Sequence, residues 1–107
     1  MTSVFTARLA QAVSTGPTVL LYTGPSQIRT VVRDMVAQNN GSVDSLVTVW
    51  LNLPGDSLAV IWQVGVPVNK SEHIDMRQVI NPGEQLFFQG SSTISRLMVT
   101  GYQFALA

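Results

Sequence analysis

Met76 to Gly90 reads Met-Arg-Gln-Val-Ile-Asn-Pro-Gly-Glu-Gln-Leu-Phe-Phe-Gln-Gly, and Leu97 to Phe104 reads Leu-Met-Val-Thr-Gly-Tyr-Gln-Phe. These two pieces decide the fold class. Asn81-Pro82-Gly83-Glu84 is a turn with a mechanism: proline presets the first central dihedral, and glycine supplies the positive φ that a type II turn needs at its second centre. The apolar run Leu86-Phe87-Phe88 is short and bounded by turn signals, which is a strand pattern. Gly90-Ser91-Ser92-Thr93 is a second turn. Beyond it, Leu97, Val99, Gly101 and Gln103 alternate with Met98, Thr100, Tyr102 and Phe104. The stretch reads as two apolar strands joined by a hairpin, with a third strand entering through Pro82-Gly83.

Working back toward the N-terminus, the same grammar repeats. Glu72 to Ile80 sets Ile74, Met76, Gln78 and Ile80 against His73, Asp75, Arg77 and Val79. Leu58 to Val66 is an apolar strand closed by Pro67. Val43 to Leu51 alternates Leu46, Thr48 and Trp50 with Val47, Val49 and Leu51, apolar on both faces. Asn39-Asn40-Gly41-Ser42 before it contains Asn-Gly, the strongest short hairpin signal. Thr18 to Tyr22 is a buried strand between Gly16-Pro17 and Gly24-Pro25.

Gln27 to Gln38 has two readings. Ile28, Val31, Val32, Met35 and Val36 match a helical stripe, which Ser26 could cap. As a strand, it would put Ile28, Thr30, Val32, Asp34 and Val36 on one face. The β-branched content and the all-strand context favour the strand. Residues 1–16 are read as an N-terminal arm or first strand, with a short helix as the alternative, and 17–107 as a β-sandwich domain. Seven or eight strands at spacings of about 8–12 residues define an all-β, antiparallel sandwich, jelly-roll-like. Pro54-Gly55-Asp56 echoes Pro82-Gly83-Glu84, but two such short strings are not an internal repeat.

The 107 residues fit one domain, which at this size can bury a core without staples. The absence of cysteine rules out disulfides and thiolate metal sites. No signal peptide is visible after Met1, and no apolar run approaches the length of a membrane span. Charged residues make up 11% of the chain and the formal net charge is zero; an ordinary soluble domain carries about 25%. So little charge implies a surface partly covered by other protein, the alternative being a neutral monomer surface rich in Ser, Thr, Asn and Gln. With no basic run, the chain is a poor nucleic-acid ligand.

Candidate chemistry is sparse. His73, flanked by Glu72 and Asp75 with Arg77 following, could be a base oriented by a carboxylate, yet it lacks a nucleophile partner; on a strand these residues form a solvated polar stripe. One histidine and six scattered carboxylates supply no local metal cluster. Asp44 and Asp56 lack calcium-loop spacing, and Gly24-Pro25-Ser26 is no phosphate cradle. Trp50, Trp62, Tyr22 and Tyr102 could form a sugar-stacking platform, but at strand positions they are expected in the core. No catalytic, cofactor or metal residue is therefore expected, and no enzyme.

From Thr18 onward the chain resembles small β-sandwich structural proteins of tailed bacteriophages. The likeness lies in the flanked strand Thr18 to Gly24, the strand Ile28 to Asn40 ending in its Asn-rich turn, and the turn Asn81 to Glu84. The short strand Leu86 to Phe88 and the Gly-aromatic closing strand Val99 to Tyr102 complete it. Val31 to Met35, with its helical stripe, departs from the pattern. The resemblance implies a non-enzymatic virion structural protein: a capsid decoration (cement) protein on the head lattice, or a tail or head fibre component. With little charge to keep copies apart and one lysine to guard the sheet edges, a closed homo-oligomer, dimer or trimer, is expected, and the resemblance adds the major capsid protein or another virion protein as its partner; no nucleic acid, membrane or cofactor is expected. A carbohydrate-binding β-sandwich module is the reading from another class.

Overall fold

The computed structural model describes residues 4–14, 18–52, 58–91 and 94–106. Eight strands follow one another: β1 (Val4–Ser14), β2 (Val19–Thr23), β3 (Ile28–Asn39), β4 (Ser45–Asn52), β5 (Leu58–Val66), β6 (Lys70–Ile80), β7 (Gln85–Gly90) and β8 (Ile94–Ala105). They form two four-stranded sheets. Sheet I has the order β1-β8-β3-β6 and sheet II the order β2-β7-β4-β5. All six pairings are antiparallel. Only the β4–β5 connection stays within one sheet; every other one crosses from sheet to sheet. That is the jelly-roll-like sandwich expected from the turn spacing. The turn at Pro54-Gly55-Asp56 lies outside the described residues.

The expected hairpins are corrected by this order. β7 and β8 are not paired to each other, and neither are β3 and β4 across Asn40-Gly41. Gly90-Ser91 and Asn40-Gly41 instead carry the chain over the edge of the sandwich. Turn chemistry marks where a chain reverses; which sheet receives it is decided by where each strand can bury its inner face.

Residues 1–16 contain β1, which pairs with β8 from Val4 opposite Phe104 to Ser14 opposite Ile94. β1 is thus an edge strand of sheet I.

The stretch with two readings is a strand, and the helical stripe has a structural cause. Against β8, β3 shifts register between Val32 and Asp34, leaving Arg33 as an extra residue; against β6 the ladder shifts at the same place, but there Met76 and Arg77 of β6 face the single Arg33. Before this bulge Thr30 and Val32 point inward. After it Met35, Ala37 and Asn39 do, all fully buried. A bulge in a period-two pattern yields a spacing of three, which mimics a helix. The expected single face Ile28-Thr30-Val32-Asp34-Val36 therefore breaks at the bulge, and Asp34 and Val36 turn outward. Gly101 of β8 sits opposite Val32, and a Cβ there would collide with the Val31 carbonyl. The bulged backbone leaves no room for any side chain at that position.

The core joins Val32, Met35, Ala37, Ile80, Leu97 and Val99 of sheet I to Leu21, Val47, Val49, Leu51, Trp62, Val66, Leu86 and Phe88 of sheet II. Each large side chain among them contributes about 1.5–3 kcal/mol by leaving water. Polar bridges fix the two sheets to each other. Gln103 donates to the Tyr22 hydroxyl at 2.6 Å, which lies 2.8 Å from the Oγ1 of buried Thr30. Buried Asn39 donates to the carbonyls of Val43 (2.8 Å) and Val66 (2.9 Å) and accepts from the Gly41 amide (2.9 Å). It thereby organises the crossover from β3 to β4.

The Asn81–Glu84 turn is as expected. Gly83 has φ 86°, and the Glu84 amide donates to the Asn81 carbonyl at 3.1 Å. The Asn81 amide donates to the Glu84 carboxylate at 2.7 Å. Gly24, at the end of β2, docks on this turn through its amide to Glu84 and its carbonyl to Gly83.

Candidate functional site

Every strand of sheet I carries ionisable residues: Arg8 on β1; Arg29, Arg33 and Asp34 on β3; Lys70, Glu72, His73, Asp75 and Arg77 on β6; Arg96 on β8. The four strands of sheet II contain no Asp, Glu, Lys, Arg or His. Asp44 and Glu84 sit in the connections. Asp44 accepts from the Val68 amide at 3.0 Å and so braces the crossover from β5 to β6.

The outer face of sheet II is built by cross-strand register. Leu20 lies opposite Phe87, Phe87 opposite Trp50, and Trp50 opposite Val60. The result is one apolar row across all four strands, from Leu20 (50% exposed) to Val60 (57% exposed). Polar pairs flank it: Gln63 donates to Thr48 on one side, and Gln85 reaches Thr23 on the other. Trp62 is in the core as expected. Trp50 is not. It is half-buried on the outer face, because alternation along β4 gives the inward places to Ser45, Val47, Val49 and Leu51.

The polar stripe sits on the outer face of sheet I, with His73, Asp75 and Arg77 exposed. β3 and β6 add a residue the stripe did not contain. Asp34, turned outward by the bulge, stands directly opposite Asp75. The His73 Nε2 lies 3.6 Å from Asp34 Oδ1 and 3.3 Å from Asp75 Oδ1. Among the described residues this is a group whose ligand atoms, all within 4.8 Å of one another, could meet a metal ion. Carboxylates scattered in the sequence are thus gathered by pairing, and only the bulge position could have signalled it. All three side chains are substantially open to solvent. Exposed acidic groups of this kind are common without an ion, so the group needs no ligand to account for it.

Comparisons with family models and with curated proteins gave no match. Solved structures do match in fold. A protein of Bacillus endospore appendages, described as disulfide-linked pili, aligns over 100% of this chain and 92% of its own, with TM-score 0.62 and 8% identity. The infectious bursal disease virus VP2 subviral particle gives TM-score 0.53 and 12% identity over 98% of this chain and 32% of that one. PirA gives TM-score 0.51 and 14% identity, covering 94% and 92%. At such identities the likeness is one of fold. It places this chain in a β-sandwich fold shared with pilus and viral capsid proteins. Without cysteine, the chain cannot form the disulfide links of the appendage pili.

Proposed function

We propose that this protein is a non-enzymatic structural subunit of a virion, a decoration protein that attaches to the head lattice and works by contact. The observation that carries the reading is sheet II: four strands without Asp, Glu, Lys, Arg or His, whose outer face bears the continuous row Leu20–Phe87–Trp50–Val60. Charge depletion with aromatic enrichment is the composition of an interface centre. The fold likeness to a capsid protein and to a pilus protein supports the same class of role. The pilus likeness also favours a second reading, a fibre or tail component.

Quantitative mass spectrometry of purified particles separates the two. A decoration protein appears in a copy number comparable to that of the major capsid subunit, and a fibre or tail part in a few copies. Absence from any particle would end the structural reading.

A further inference from the structure

The sandwich has four sheet edges, and three are closed to pairing. β6 carries Lys70, Glu72, His73, Asp75 and Arg77, the charged guards that edge strands use against association. β2 is five residues long and runs into Gly24-Pro25. β1 shifts register twice, between Arg8 and Ala10 and between Ala12 and Ser14, which twists an edge away from a flat partner. The fourth edge, β5, reads Leu-Ala-Val-Ile-Trp-Gln-Val-Gly-Val and has no charge. Its one register shift falls between the Val49 and Trp50 pairings, at Ile61, leaving Trp62 to Val66 regular. The apolar row of sheet II ends on this strand at Val60.

We propose that β5 is a docking edge for a second copy of this chain, which pairs its own β5 antiparallel across a two-fold axis. The proposal rests on the reading of the protein as an assembly subunit and names the edge that assembles. The occupant follows from the edge itself. Every copy carries the same uncharged strand with the same alternation, and an isologous two-fold pairs that strand with itself. Keeping inward residues opposite inward residues requires the axis to pass through a residue position. The centre of the regular half is Val64. Trp62 and Val66 then face their counterparts inward, and Gln63 of each copy lies opposite Gly65 of the other on the outer face. The two sheets II merge into one eight-stranded sheet.

This register gives a charge-swap test at two permissive sites. Gln63 is exposed, and a Cβ at Gly65 meets nothing within 4 Å. Q63K/G65K sets lysines opposite lysines in both symmetry-related pairs. Q63E/G65K sets a carboxylate opposite each lysine. Analytical ultracentrifugation of the full chain should show a dimer for the natural sequence. The Lys/Lys variant should dissociate roughly tenfold or more easily than the Glu/Lys variant, since opposed like and unlike charges act twice per dimer. Ser71→Lys on the guarded β6 edge should leave the dimer unchanged. Should either double variant melt early, mixtures of single variants ask the same question, since Q63E with G65K opposes unlike charges across the seam and Q63K with G65K opposes like ones. A natural chain that stays monomeric at all concentrations overturns the proposal, and so do two charge variants that dimerise equally. Neither result touches the particle-subunit reading, which stands or falls on presence in purified particles.

Discussion

The two sheets solve the same packing problem with opposite exteriors. Both offer apolar inner faces to one core. Sheet I is bulged at Arg33, holds a glycine against that bulge at Gly101, and carries every Asp, Glu, Lys, Arg and His of the strands. Its outer face is not free of apolar groups, since Tyr102 and Phe104 stack there with ring centroids 6.4 Å apart. Yet the polar stripe of β6 keeps its edge wet. Sheet II has no charge in its strands, and its glycine at position 65 faces open space. The difference teaches that a low overall charge can be unevenly distributed, with the strands of one sheet left free of it.

Substitutions can break or sharpen this contrast. The largest effect is expected at Gly101. Gly101→Val drives a branched side chain into the β3 backbone and should cost about 3 kcal/mol, the upper part of the overpacking range. Gly65→Thr, the matching change in sheet II, should shift a thermal melt hardly at all. Equal losses at the two glycines would mean that the Arg33 bulge does not press on β8.

Next comes the seam between the sheets. Asn39→Ala removes a buried amide that serves the Val43 and Val66 carbonyls and the Gly41 amide. It should cost about 2–3 kcal/mol in chemical denaturation, the toll of leaving buried polar groups unpaired. A loss below the usual range of a surface substitution, about 0.5 kcal/mol, would contradict that role.

Gly83→Val should cost about 1–3 kcal/mol, because β-branched residues resist positive φ. Gly83→Asn should cost distinctly less, since Asn tolerates the left-handed region. The smallest effects belong to the exposed chemistry. His73→Ala should stay within about 0.5 kcal/mol, as surface changes usually do. For Trp50, a fluorescence titration with sugars should give no saturable change; a response lost in Trp50→Ala would favour the carbohydrate-binding reading and give sheet II a different occupant.

Much of this architecture was legible in the residues, and the illegible parts share a cause. Alternation along β6 put Ile74, Met76 and Ile80 on one side and His73, Asp75 and Arg77 on the other, as found. The Pro82-Gly83 turn followed from local dihedral preferences alone. What local pattern could not supply was partnership. Asn40-Gly41 marks a reversal, yet the strands it joins belong to different sheets. Arg33 shifts the alternation of β3 by one residue, so Val32 and Met35 mimic a helix and Asp34 reaches Asp75. Trp50 is as apolar as its neighbours, and nothing in β4 itself says that its face is the outer one. The composition showed that charge was scarce; only the strand order showed that sheet II lacks it entirely.

The central claim is that sheet II is the covered side. Hydroxyl-radical footprinting of the isolated protein and of the assembled particle measures this directly, residue by residue. The account predicts that Leu20, Trp50, Val60 and Phe87 lose labelling on assembly while His73 and Val79 on sheet I keep theirs. Protection of His73 and Val79 with unchanged labelling of Trp50 and Val60 would contradict it.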